Sequence, residues 1–453
     1  MNDTSIGNYQ TPHLEPLWSI NTFVVREIGY VLRSNREYAL FFSGRFAAKT
    51  VWTLSADDAR TLEEVAQHSS ERNFMFNVAF MRRVIQRLAA VCAFTVMAFG
   101  ATAVSAQSSW SERTSIGGDF RLRYEGFFQD DTRARQRLRF RARLALDTEI
   151  NEDVHFGIRL ASGDVGNPIS TNQTMTDLLT TKPINLDRAF LTYSPSNAVT
   201  IGGGKFGLPV TRTQMTFDSD LNWEGVYQQF RNTTGPVSVK FVAAQVPLQE
   251  NKTSPDAFLF AGYGEVGVSL ETVSWHLSIA DYAFRDVDAV VLAQISKDVG
   301  RNTNALRVNA HGNTTGFTSG FNLLDIIARA TVSTGHPSYP LQLTANMVKN
   351  TKAATDEDFG IWVTAAIGRA SEPGSFQFTY TFARVERDAA LSAFSYSDNR
   401  GTNVSMHEPT VSYMVAPGIH VDFNVVLTKR LSIPAGQLNP LHKRPRLDAR
   451  ISF

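Results

Sequence analysis

Residues 133–147 read RARQRLRFRARLALD, with arginine at every second position from Arg133 to Arg143. From Leu138 onward the alternate positions hold Leu138, Phe140, Ala142, Leu144 and Leu146. Side chains of an extended strand point to opposite faces in turn, so the stretch reads as a β-strand with one cationic face and one apolar face. A helix would scatter the same arginines around its circumference. A nucleic-acid-binding strand, a solvated sheet face and the wall of a water-filled pore would all suit such a strand. The rest of the chain has to choose among them.

Charge narrows the choice. The 453 residues carry 44 Lys and Arg against 43 Asp and Glu, a formal net charge of +1. A general nucleic-acid binder shows a basic excess over its domain, so no nucleic-acid partner is expected and the basic feature is local. The single cysteine, Cys92, excludes an intrachain disulfide and a cysteine-rich zinc site. Phenylalanine is abundant at 31 residues, with 12 tyrosines and 6 tryptophans, a composition that leans towards strands.

The only long apolar run is LAAVCAFTVMAFGATAVSA, residues 88–106, preceded by MRRVIQR with Arg82, Arg83 and Arg87. A basic start, an apolar middle and the small-residue end Val104-Ser105-Ala106 are the parts of a secretory signal, with cleavage expected between Ala106 and Gln107. The run is also long enough for a membrane anchor, but Gly100 and the alanines weaken its apolar end. The signal begins at Met81. Residues 1–80 are therefore expected to be upstream read-through with no function, 81–106 the signal peptide, and 107–453 the mature chain.

That mature chain reads as strand after strand. DFRLRYEGF (119–127), RLRFRARLALD (137–147), VHFGIRLA (154–161), VSVKFVA (237–243), VSWHLSI (273–279), SFQFTYTFA (375–383), IHVDFNVVL (419–427) and RLDARISF (446–453) all alternate with period two. Weaker runs include 288–296, 305–310 and 321–331, for a total of about 16 to 18 strands, more than an open twisted sheet usually holds. Connections alternate as well. EINED, SPSN, RNTTGP, LET, SEPG and APG are tight turns, whereas the gaps at 162–186, 207–222, 246–257, 388–402 and 431–445 are long. Short turns at one end and long loops at the other describe an up-and-down meander of the outer-membrane type.

The faces support a lipid environment. One face of each strand is large and apolar, as with Phe376, Phe378, Tyr380 and Phe382, and the other is expected to be polar or small. No helical span occurs in 107–453, so a membrane-embedded mature chain has to be a closed barrel. A soluble periplasmic β-protein binding a polyanion, a structural or adhesive barrel, and a barrel-type hydrolase are the competing readings.

A signal peptide, alternating strands and a terminal LDARISF, with Leu447, Ala449, Ile451 and Phe453 alternating to a final aromatic, resemble Gram-negative outer-membrane porins. The segment INLDRAFLTYSPSNAVTIGGGKFGLPV (185–210) is similar to paired strands of the family named "putative porin" and, more distantly, of phosphate-selective porins. The resemblance implies a transmembrane antiparallel β-barrel in outer-membrane lipid, with long extracellular loops and short periplasmic turns. It also implies a homotrimer, and an assembly signal at Leu447, Ala449, Ile451 and Phe453 that the barrel-assembly machinery reads. Function would be passive diffusion of small hydrophilic solutes, with no cofactor and no catalysis.

In such a barrel the alternation places Arg121, Arg123, Arg137, Arg139, Arg141, Arg143 and Arg159 on the lumen wall, with His155 beside them. Turning an arginine to the bilayer midplane costs about 2–4 kcal/mol, so the register is strongly fixed. A basic wall selects permeants by sign, and small anionic solutes are the expected cargo. The alternative for these arginines is a scaffold role, paired with Glu125, Asp147 or Glu149. The loop after the fifth strand, GLPVTRTQMTFDSDLN (207–222), would by resemblance fold into the lumen, and its Asp218 and Asp220, with Glu224 just beyond, would face the arginines. Solvated loop carboxylates are the plainer reading of the same residues. GYGEVG (262–267) lies within strand alternation and GGGKFG (202–207) lacks the hydroxyl residue of a phosphate-binding loop. The histidines show no metal-ligand spacing, so no metal is expected.

Overall fold

The computed structural model describes residues 110–453 apart from 131, 176–177, 253 and 298–301, and also 28–34, 37–42 and 53–54. The chain forms two compact units, 1–106 and 107–453. In the first, Ile28–Ser34, Glu37–Phe42 and Thr53–Leu54 pair antiparallel in that order. The expected signal at 81–106 and the cut before Gln107 lie outside the described residues.

The second unit is a closed antiparallel barrel of sixteen long strands. These are β1 (Thr114–Phe127), β2 (Arg135–Glu149), β3 (Val154–Ser162), β4 (Ile184–Ser196), β5 (Val199–Gly207), β6 (Asn222–Thr234), β7 (Val237–Gln249) and β8 (Ala257–Ser269). The second half comprises β9 (Val273–Arg285), β10 (Asn322–Val332), β11 (Leu341–Asn350), β12 (Phe359–Gly368), β13 (Phe376–Val385), β14 (Val404–Ala416), β15 (Ile419–Arg430) and β16 (His442–Ser452). Each strand pairs with its neighbour in sequence. The barrel closes where β16 meets β1, in register from Arg446 opposite Glu125 to Ser452 opposite Asp119. A two-residue strand, Gln173–Thr174, adds to the upper edge of β2 within the loop between β3 and β4.

Closure leaves no unpaired edge, the condition for backbone to cross a bilayer as strands. Connections sort by end. Turns at 150–153, 197–198, 235–236, 270–272, 333–340, 369–375 and 417–418 share the short-turn end, and every tight turn read from the sequence falls there. The other end carries loop 1 (128–134), loop 2 (163–183), loop 3 (208–221), loop 4 (250–256), loop 5 (286–321), loop 6 (351–358), loop 7 (386–403) and loop 8 (431–441).

The strand count is sixteen, not eighteen. The runs at 288–296 and 305–310 are not barrel strands: Asp288–Lys297 is a helix, α1, and Leu306–Val308 pairs with Thr314–Phe317 as a small hairpin within loop 5. VVLAQIS is short and apolar enough to suit either period, and its place in a loop decides for the helix.

Burial is inverted relative to a water-soluble fold. Phe376 and Phe378 are 50% and 48% exposed, and Leu277, Ile279, Phe241, Phe423 and Leu447 are exposed like them. Charged inward residues such as Arg123 and Glu125 are buried. An apolar belt around a polar interior is what lipid selects, and it excludes the soluble β-protein.

The inward face is not polar throughout, contrary to expectation. Trp223, Leu259, Tyr263, Tyr282, Leu323 and Val348 on β6, β8, β9, β10 and β11 are buried inside the barrel. They pack against Met215 and Phe217 of loop 3 and Val291 and Phe317 of loop 5. The Phe217 ring stands edge-on to Trp223 at 5.5 Å and to Tyr282 at 4.9 Å. Folded-in loops need an apolar surface to bury against, so half the lumen wall is a core.

Candidate functional site

The other half of the wall is a guanidinium ladder. The β1–β2 register sets Phe127 opposite Arg135, Glu125 opposite Arg137, Arg123 opposite Arg139, Arg121 opposite Arg141, and Asp119 opposite Arg143. On the far side of β1, β16 brings Arg446 to Glu125, Asp448 to Arg123 and Arg450 to Arg121. Arg139 and Arg141 are each 8% exposed, while Leu138 and Leu144 on the alternate face are 45% and 48% exposed. The arginines therefore face inward, as the alternation requires. At about 3.4 Å per residue, Arg135 to Arg143 covers about 27 Å of strand, from the loop end downward.

The ladder is built with carboxylates. Glu125, fully buried, receives Arg137, Arg444 at 2.5 Å and Arg139 at 3.6 Å. Arg123 donates from Nε and Nη2 to both oxygens of Asp448, each at 2.7 Å. Asp398 of loop 7 is reached by Arg446, by Arg444 at 2.9 Å and by Arg123 at 3.2 Å. Burial alone would raise the Asp398 carboxyl, but Arg444, Arg446 and Arg123 outweigh it and hold it well below the usual carboxylate range. Asp119 pairs with Arg141 at 2.7 Å and Arg143 at 2.6 Å. With Asp220, Glu408 and Asp422, the cluster holds seven carboxylates against nine guanidiniums, those of Arg121, Arg123, Arg137, Arg139, Arg141, Arg143, Arg444, Arg446 and Arg450, so the wall keeps a cationic surplus.

Of the scaffold partners read from the sequence, Glu125 takes that role. Asp147 instead lies 3.3 Å from His155 Nε2, and Glu149 has no ion pair among the described residues. Arg159 pairs with Asp187 of β4 at 2.5 Å, off the main ladder.

Loop 3 follows the fifth strand and lies against the inner wall. Thr216 Oγ1 donates to Asp325 of β10 at 2.5 Å, Thr213 bonds Asn346 of β11, and Thr211 Oγ1 donates to Glu265 of β8 at 2.7 Å. From there Asp220 approaches Arg141 at 3.7 Å and Arg143 at 3.6 Å. Arg121, Arg141, Arg143 and Arg450 surround a cavity of about 290 Å³ with Asp220, Asp422 and Asp448.

The loop's other carboxylates do different things. Asp218 is 3% exposed; its Oδ2 accepts from the Ser397 amide at 2.8 Å and its Oδ1 from the Asp220 amide at 2.9 Å. It clamps loop 3 to loop 7 and does not meet the arginine wall. Glu224 is not in the cluster either. It alternates with the buried Trp223 on β6, its side chain is 61% exposed, and it pairs with Lys205 of β5.

Arg444, Arg446 and Arg450 were passed over in the sequence, although HKRPRLDAR (442–450) repeats the alternation of β2. The signal to use was closure: the last strand of a barrel joins the first, so its inward residues belong to the same wall. Leu447, Ala449, Ile451 and Phe453 all point outward and are exposed. The Phe453 amide donates to Gly118 O at 3.1 Å and its carbonyl accepts from Gly118 N at 2.8 Å.

Comparison with known proteins agrees with this architecture. The profile of the family described as "Putative porin" matches residues 127–316. Among solved structures, the high-pH form of Pseudomonas putida OprB is 13% identical, covering 78% of this chain and all of its own, with a TM-score of 0.52. The trimer form of OmpT, an outer membrane protein of Vibrio cholerae, is 10% identical over 75% of this chain and all of its own, at a TM-score of 0.45. A mutant of Rh. blastica porin is 11% identical with the same coverage, at 0.39. No curated protein matches the chain. The barrel of residues 114–452 thus has the fold of an outer-membrane porin, and its residues 127–316 are similar to the family described as "Putative porin".

Proposed function

We propose that the barrel is a water-filled channel for passive diffusion of small hydrophilic solutes across the outer membrane, with a preference for anions. The observation that carries the preference is the inward ladder Arg137–Arg139–Arg141–Arg143, flanked by Arg121 and Arg123 and sharing too few carboxylates to be neutral. Charged side chains lining a pore select by sign. Asp220 opposite Arg141 and Arg143 supports a constriction at loop 3, with a field running across the solute path. Nothing in this reading requires chemistry: the side chains bind weakly, orient and release.

The same reading includes export by the signal at 81–106 and cleavage before Gln107, which the basic, apolar and small-residue order of MRRVIQRLAAVCAFTVMAFGATAVSA supports. It includes assembly through Leu447, Ala449, Ile451 and Phe453, and a homotrimer in the membrane. The outward Gln228 and Gln245, bonded to each other at 3.3 Å midway along β6 and β7, support a protein contact there, because amides facing hydrocarbon are unfavourable.

Planar-bilayer recording of residues 107–453 under a salt gradient tests the channel and its sign. The reversal potential is expected on the anion side. Absence of conductance would remove the channel, and a cation-side reversal would remove the ladder as its selectivity element. Arg139→Gln with Arg141→Gln should shift the potential towards cations, because two positive charges leave the wall and Glu125, Asp119 and Asp220 each lose one of their cationic partners.

A further inference from the structure

Above the constriction, at the long-loop end, lies a second and larger cavity of about 570 Å³, bounded by β1, β2, β16 and loops 1, 2 and 7. Its strand side is cationic, with Arg135, Arg137, Arg139 and Arg444. Three of these crowd one ring. The guanidinium carbons of Arg135, Arg137 and Arg444 lie 4.4, 5.0 and 4.8 Å from the centre of Phe127. An aromatic face offsets part of the repulsion among such neighbours, but only part.

The protein leaves donors there unused. Arg135 makes no hydrogen bond or ion pair among the described residues; its contact is the ring. Arg137 spends Nε on Glu125, and Arg139, which gives Nη2 to Asn172 O at 3.2 Å and lies 3.6 Å from Glu125, keeps a buried Nε with no partner. A buried donor without an acceptor is costly, and a forked cation suits a carboxylate. The loop side of the cavity is more mixed: Ser170 and Asn167 of loop 2 and Ser395 and Ser397 of loop 7 present hydroxyl and amide groups beside the carboxylates of Asp164 and Asp398 and the Arg400 guanidinium. The strand side thus calls for an anionic group, while the loop side offers hydroxyls, an amide and the Asp164 carboxylate as partners for hydroxyls, Asp398 being already engaged by Arg123, Arg444 and Arg446.

We propose that this outer cavity is a capture site for a polyhydroxylated carboxylate, its anionic group taken by Arg135, Arg137 and Arg139 and its hydroxyls by Ser170, Ser395 and Ser397. The site rests on the reading of the barrel as a solute channel and gives that channel a preferred class of cargo. It lies above the Arg121–Arg143–Asp220 level, so capture precedes passage.

Calorimetric titration of the folded barrel in detergent tests binding without requiring conduction. Gluconate is expected to bind saturably. Acetate, with the charge but not the hydroxyls, and sorbitol, with the hydroxyls but not the charge, are each expected to bind at least about tenfold more weakly, a difference of about 1.4 kcal/mol. Arg135→Gln and Ser397→Ala remove groups whose side chains hold no part of the barrel together, and each should weaken gluconate by several-fold with heat-modifiable gel mobility unchanged. Acetate binding as tightly as gluconate would overturn the proposal, and so would the absence of saturable gluconate binding in a barrel that conducts. Gluconate binding by a barrel that fails to conduct would keep the site and remove the channel.

Discussion

Asp218 shows how one carboxyl can serve the fold while standing beside a pore. Burial, reinforced by the neighbouring Asp220, pushes it up to about 7. Its folded value lies above its unfolded one, so the folded protein binds the proton more tightly. The stabilising contribution is complete below about pH 4 and is lost as pH rises towards and past 7. Ionisation should therefore loosen the junction where the Ser397 amide donates to Asp218 and the Asp218 amide donates to Phe394 O at 2.7 Å. Hydrogen exchange at Ser397, corrected for the intrinsic pH effect, is expected to speed up between pH 5 and pH 8. Asp218→Asn should flatten that rise; an equal rise in the variant would mean that another group controls the junction.

At the scale of elements, the seam between β16 and β1 is where the barrel succeeds or fails to close. A side chain at Gly118 would put its first carbon 2.4 Å from Arg143 O and 2.8 Å from the Phe453 ring. Backbone cannot give way as a flexible side chain can, so Gly118→Val should cost about 1–3 kcal/mol or prevent closure. Gly262 on the outward face of β8 meets nothing within 4 Å, and Gly262→Val is expected to be near neutral. Heat-modifiable mobility after refolding distinguishes the two; equal folding yields would show that the seam tolerates bulk. Alternation made β2, β9 and β13 legible, because lipid on one side and water on the other impose period two. The basic half of β16 carried the same signal but needed closure to be applied to it. Asp398 carried none: it reaches Arg123 across 275 residues of sequence, and no local period encodes where a loop folds.

The whole molecule divides its interior between two tasks. On β1, β2 and β16 the wall is polar and ionic. On β6 to β13 it is a core against which loops 3, 5 and 7 pack, with Val291 of α1 fully buried and Phe317 nearly so. Period-two reading catches parts of β7, β9 and β13 in that half but not its apolar interior, since a strand packed on loops at one face and on lipid at the other is apolar on both, as at the buried Leu323 and the exposed Leu324 of β10. The ladder and the plug are carried by different strands, so they should be separable. Replacing residues 288–317 with a short turn removes α1 and the hairpin while leaving β9 and β10 their pairing from Val273 opposite Val332 to Ala283 opposite Asn322. Single-channel conductance is expected to rise severalfold because the lumen is opened, while the reversal potential keeps its sign because every arginine of the ladder remains. A shortened loop 5 that raised conductance and also abolished anion preference would place the selectivity element in the plug and demote the ladder to scaffold.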